Sequence, residues 1–153
     1  MEMTITSMPP QRLAAVRHRG PYQQIAPAFQ TLGDIAGRTG LFARTTGHMM
    51  GIYWDDPQTV AAADLRSAAA LPIVESGHVP DGLVELRFEG GRFARFVHVG
   101  PYEGLPGAWA AAVGTMLSSG HHRRDAPALE IYVNNPHEVS PAELRTEILI
   151  PID

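Results

Sequence analysis

No cysteine occurs in the 153 residues. A disulfide framework, a thiolate zinc site and a cysteine nucleophile are therefore excluded, and any catalysis must use oxygen or nitrogen groups. That absence fits a reducing compartment, so a cytoplasmic location is expected. Nor is there an apolar run of the roughly 20 residues that a membrane-spanning helix requires. The opening MEMTITSMPPQR has neither the basic stretch nor the apolar core of a signal peptide, so a soluble protein without a membrane partner is expected. Cations are scarce too: 12 Lys+Arg stand against 16 Asp+Glu, for a net charge of −4. They are scattered rather than striped, which leaves no electrostatic footprint for a phosphate backbone, and direct nucleic-acid binding is not expected.

What the chain does have is a repeat. Arg12-Leu-Ala-Ala-Val-Arg-His-Arg-Gly-Pro-Tyr22 matches Arg92-Phe-Ala-Arg-Phe-Val-His-Val-Gly-Pro-Tyr102 at an offset of 80. Ile52-Tyr-Trp-Asp-Asp-Pro57 matches Ile131-Tyr-Val-Asn-Asn-Pro136 at 79, and Asp64-Leu-Arg-Ser-Ala-Ala-Ala-Leu-Pro-Ile73 matches Glu143-Leu-Arg-Thr-Glu-Ile-Leu-Ile-Pro-Ile152 at 79. Three ordered matches with one single-residue slip identify a tandem duplication, with repeat one over about 1–80 and repeat two over about 81–153.

Each half reads as strand, helix, strand, strand. An apolar strand over about 11–18, and again over 91–99, runs into Gly-Pro-Tyr, where proline presets the turn into a helix. Ile25, Phe29, Leu32 and Ile35, and in the second half Leu105, Trp109, Ala112 and Met116, recur at helical spacing and give each helix one apolar stripe. Gly37 or Gly40, and Gly120, are the helix stops. Second strands over 49–54 and 129–133 end in Asp-Asp-Pro and Asn-Asn-Pro turns, and third strands over 65–71 and 144–150 close the units. Additional strands near 3–7 and 83–88 pair with the first strand of their own units, and Gly90-Gly91 forms a hairpin turn. One unit alone buries too little. The expected architecture is therefore α+β: a single domain over 1–153 in which two β-α-β-β units form one antiparallel sheet with two main helices and a central groove about a pseudo-twofold axis.

With these motifs in place the chain resembles the GyrI-like family, also called the AraC effector-binding domain, over nearly its whole length. The resemblance rests on the duplicated Gly-Pro-Tyr elements, on Ile52-Tyr-Trp-Asp-Asp-Pro57 and on the ending Pro141-Ala-Glu-Leu-Arg-Thr-Glu-Ile-Leu-Ile-Pro-Ile152. It implies a binder of bulky, cationic and aromatic compounds, here a free-standing member without a DNA-binding arm. It also implies that Glu147 corresponds to the acidic residue at the floor of the ligand pocket.

From the residues themselves, Glu147 is the charged departure from its repeat mate Ala68, placed mid-strand on the same face as Leu149 and opposite Thr146, Ile148 and Ile150. Partly desolvated, it requires a cation or a donor; the plain alternatives are an exposed glutamate on an edge strand, or one paired with Arg145 or Arg66. Tyr53 and Tyr132 are matched and alternate with aliphatic neighbours, so that if the aliphatic side faces the helices the tyrosines face the groove and form part of an aromatic box; the plain alternative is a pair of tyrosines covering the solvent side of the sheet. Trp109, aligned with Phe29, is helix-to-sheet core or groove lining. The seven histidines have no zinc or facial-triad spacing: His18 and His98 are repeat mates beside the turn, His121-His122 fall in a loop, and no metal or cofactor is expected.

Three functions follow. In the first, Glu147, Tyr132, Tyr53 and Trp109 bind a lipophilic or cationic small molecule for sequestration or sensing. In the second, Glu147 is the general base of a cofactor-independent hydrolase, which the resemblance extends to electrophilic, cyclopropane-bearing natural products. The third, a protein partner such as gyrase, follows only from the family's name.

Overall fold

A computed structural model describes residues 1–153. It is α+β, with eight antiparallel strands and two main helices, and the chain divides into two compact units, Pro10–Glu89 and Met1–Pro9 with Gly90–Asp153.

The unit Pro10–Glu89 contains β2 (Gln11–Arg19), α1 (Ala26–Thr39), β3 (Met50–Tyr53), β4 (Arg66–Ile73) and β5 (Val84–Phe88), with strands in the order β3-β4-β2-β5. The α1 stripe packs Ala28, Leu32, Ile35 and Ala36 against Ala14, Ala69, Leu71 and Ile73 of the sheet. The opposite sheet face is closed as well, since Leu13, Ala15, Met50, Ile52, Ala68 and Ala70 are all buried. A strand covered on both faces loses its apolar-polar alternation, which accounts for the continuous run Ala68-Ala69-Ala70-Leu71. Helix α1 ends where Gly40 takes a left-handed φ of 74°, a conformation glycine enters without steric cost.

The other unit contains β1 (Thr4–Met8), β6 (Gly91–Val99), α2 (Leu105–Ser118), β7 (Ala128–Tyr132) and β8 (Arg145–Pro151), ordered β1-β6-β8-β7. Leu105, Ala108, Ala112 and Met116 of α2 cover Ala94, Phe96, Ile148 and Ile150.

The extra strands depart from expectation. β1 pairs with β6, from Thr4 opposite Arg95 to Met8 opposite Gly91, and β5 pairs with β2, from Gln11 opposite Phe88 to Ala15 opposite Val84. Each half thus donates its added strand to the first strand of the other half, and the compact units divide the chain at 9/10 and 89/90. Pro9-Pro10 explains one crossing, because two fixed φ angles and no N–H groups make a poor two-residue hairpin. Gly90-Gly91 is not the expected hairpin turn: with φ of 76° and 117° these glycines carry the chain from β5 of one unit into β6 of the other.

The duplicated turn is reproduced closely. Gly20 and Gly100 have φ of 126° and 134°, and their N–H groups donate to Leu65 O at 2.9 Å and Leu144 O at 2.8 Å. His18 Nε2 and His98 Nε2 meet Pro21 O and Pro101 O at 3.1 and 3.0 Å, in keeping with a scaffold role shared by both halves. An added Cβ at either glycine meets nothing closer than 3.8 Å, so substitution strains only the backbone. Gly20→Ala and Gly100→Ala should each cost about 1–3 kcal/mol, equal within about 0.5 kcal/mol; urea denaturation of the two variants checks this.

Candidate functional site

Strand alternation divides the candidate residues between two faces. In β7 and β8, Glu130 lies opposite Ile148 and Tyr132 opposite Thr146, whereas Ile131 lies opposite Glu147 and Leu129 opposite Leu149. Ile148 belongs to the α2 core, so Glu130 and Tyr132 face α2 and Glu147 faces the other way. The two glutamates are on opposite faces of one sheet.

Glu147 shares its face with Leu149, as its position in the strand requires. Its carboxylate accepts a hydrogen bond from Arg95 in a partly buried ion pair. Arg95 is opposite Leu149 in β6, while Val97 is opposite Glu147, so the pair is a diagonal contact on one face. The partner is neither Arg145 nor Arg66.

On the α2 side a second carboxylate is more deeply placed. Glu130 is only 7% exposed. Its Oε2 accepts from Trp109 Nε1 at 2.5 Å and its Oε1 from the Tyr132 hydroxyl at 2.8 Å. The Tyr102 ring stands edge-on to Tyr132, with centroids 5.7 Å apart, and packs with Trp109 against the α2 core. Burial, and then the charge of Glu130, push the Tyr102 phenol above its ordinary pKa of 10.0, because both disfavour the phenolate. Trp109 is therefore more than helix-to-sheet core: its ring packs with the core while its N–H meets the carboxylate.

Repeat one offers an internal comparison. The residue at the Glu130 position is Gly51, and Tyr53 folds over it so closely that a Cβ on Gly51 would lie 2.6 Å from the Tyr53 hydroxyl. Tyr53 is on the α1 side, opposite Ser67, 9% exposed, with its ring 4.9 Å from Tyr22. Both tyrosines thus lie on the helix side of their sheets, and Ile52 and Ile131 on the other, the reverse of an arrangement with the aliphatic residues against the helices. Tyr22 is fixed by its hydroxyl, which donates to Asp55 O at 2.8 Å and accepts from Asp55 N at 3.0 Å. Its mate Tyr102 is held by ring packing. Trp109 and Tyr132 meet at Glu130; Tyr53 belongs to the other unit and Glu147 to the other face.

The sequence motifs do not single out Glu130 or Tyr102 as site residues. The signal for Glu130 was present one residue before the Ile52/Ile131 match, where the repeat changes glycine to glutamate inside the otherwise apolar Ala128-Leu-Glu-Ile131. No group of His, Asp and Glu residues is arranged to hold a metal ion, and no helix is long and apolar enough to cross a membrane.

The model of the GyrI-like small molecule binding domain matches residues 1–153. The chain belongs to this family. Among its relatives is a protein of Escherichia coli K12 named probable transcriptional regulator YgiV, 29% identical over 119 residues that cover 74% of this chain and 72% of that protein. The fold is shared with the C-terminal domain of EcmrR (TM-score 0.79, 14% identity, 99% of this chain and 97% of that one). It is shared also with SAV2435, whose structure has tetraphenylphosphonium bound (TM-score 0.75, 12% identity, 100% and 94%). At these identities the structural likeness concerns the fold alone.

The Tyr102 shift has a consequence for this GyrI-like domain. A phenol whose folded pKa is raised stabilises the fold fully below its unfolded value near 10.0, and that contribution is lost as pH rises through the folded value. Stability should therefore fall more steeply above pH 10 in the natural protein than in Tyr102→Phe, as checked by denaturant unfolding at stepped alkaline pH.

Proposed function

We propose that the domain binds lipophilic aromatic cations at Glu130, with Trp109, Tyr132 and Tyr102 surrounding the carboxylate. The observation that carries this reading is a 7%-exposed carboxylate whose two oxygens are met by an indole and a phenol. These donors solvate the buried carboxylate. An incoming cation gains Coulomb energy in a poorly screened site and also meets aromatic rings, which attract cations through their quadrupoles. At Glu147 a cationic ligand has to displace Arg95. A protein of the same fold bound to tetraphenylphosphonium supports the ligand class. Sequestration or sensing of such compounds is the corresponding role, and Glu147 and Tyr53 belong in the same test as alternative contributors.

Titration of the whole chain with tetraphenylphosphonium tests the reading. Glu130→Gln keeps the shape and removes the charge, and should weaken binding by roughly 1–3 kcal/mol, about ten- to a hundredfold; Glu147→Gln should change affinity by less than about threefold. The reverse pattern would move the site to Glu147, and no effect of either variant on measurable binding would remove both carboxylates from recognition. Recovery of a strained-ring electrophile with the mass of one added water would instead identify the hydrolytic alternative.

A further inference from the structure

Thr146 is fully buried, at 0% exposure, and its Oγ1 has no hydrogen-bond partner. A buried hydroxyl forfeits its hydrogen bonds to water, and an unfilled one costs the fold stability that a methyl group of the same shape would retain. Its position is specific. Thr146 lies in β8 directly across from Tyr132 in β7 and from His98 in β6, on the face that carries Glu130. Glu130 and Thr146 are diagonal neighbours, about 7–8 Å apart by ordinary sheet geometry.

Resting on the ligand-site reading above, we propose that Thr146 Oγ1 is a second polar anchor of the Glu130 site. The ligands it favours are aromatic cations that carry a hydroxyl, amino or carbonyl group several ångströms from the positive charge. Glu130 supplies the charge contact, Tyr102 and Tyr132 the aromatic walls, and Thr146 a directional hydrogen bond that an unfunctionalised hydrocarbon cation leaves unused. A site that hydrogen-bonds its ligand discriminates against the analogue lacking the group, because the protein's own buried polar atom then stays unfilled.

The repeat supplies a control. Ser67 occupies the same place in the other unit, is 1% exposed and has an unpartnered Oγ, but there Tyr53 lies over Gly51 and fills the space that Glu130 takes in its own half. Ser67 carries the cost of an unfilled hydroxyl with Gly51, not a glutamate, at the diagonal position.

The test uses two probes, tetraphenylphosphonium and its analogue bearing one 3-hydroxyl group, titrated against the full chain. The natural protein should bind the hydroxylated probe about tenfold more tightly. Thr146→Val should reduce that preference to about one, Thr146→Ser should restore it, and Ser67→Ala should leave it unchanged. Thr146→Val and Ser67→Ala should both raise the melting temperature, since each removes an unfilled hydroxyl. Equal binding of both probes by the natural protein, or a preference that survives Thr146→Val, overturns the anchor while leaving the cation site intact. A fall in melting temperature for Thr146→Val also overturns it, because the hydroxyl is then satisfied within the fold. If neither probe binds the natural protein, the cation-site reading fails and the anchor with it.

Discussion

A carboxylate placed between a helix and a sheet must be solvated by the protein itself, and Glu130 is solvated by Trp109 and Tyr132. That requirement orders the rest of the site. It draws the indole of α2 toward β7, directs the Tyr132 hydroxyl along its own strand, and places Tyr102 at the edge of a ring whose hydroxyl is already engaged. The electrostatic effect is visible on Tyr102, where the phenolate is disfavoured by burial and by the nearby negative charge.

The duplication makes the specialisation readable, because the two halves share a scaffold and differ where one has acquired a charge. Gly20 and Gly100, with the histidines that precede them, keep nearly the same geometry. Gly51 is replaced by Glu130, and with it the tyrosine changes from a ring folded down over glycine to one that hydrogen-bonds a carboxylate. Phe29 is replaced by Trp109, which adds the N–H that the carboxylate requires. Tyr22 is fastened to Asp55, whereas Tyr102 is kept in place by packing.

Exchange of the added strands ties the halves together in sequence. Because β1 pairs with β6, and β5 with β2, neither half of the sequence contains all the strands that pair with its own first strand. A cut near residue 80 would separate β5 from β2 and leave a row of unpaired backbone groups, which is costly in an otherwise complete sheet. The repeat is therefore a record of duplication rather than of two units that are independent as sequences.

Sequence alone determined the features that depend on local pattern. Identical Gly-Pro-Tyr turns, helical apolar stripes and repeated Asp-Asp-Pro and Asn-Asn-Pro turns have local causes, and they sufficed for the α+β class, the duplication and the family. Alternation also placed Glu147 with Leu149 on the correct face. Tertiary structure decided what lies across each face. Arg95 is 52 residues from Glu147 and its contact depends on the register of β6 against β8, which no local pattern encodes. The same holds for Trp109 and Glu130, brought together only when α2 packs on the sheet, and for the exchange of β1 and β5. Period-two alternation states that residues point to opposite sides; only packing states which side meets the helix, and that choice separated Glu130 from Glu147.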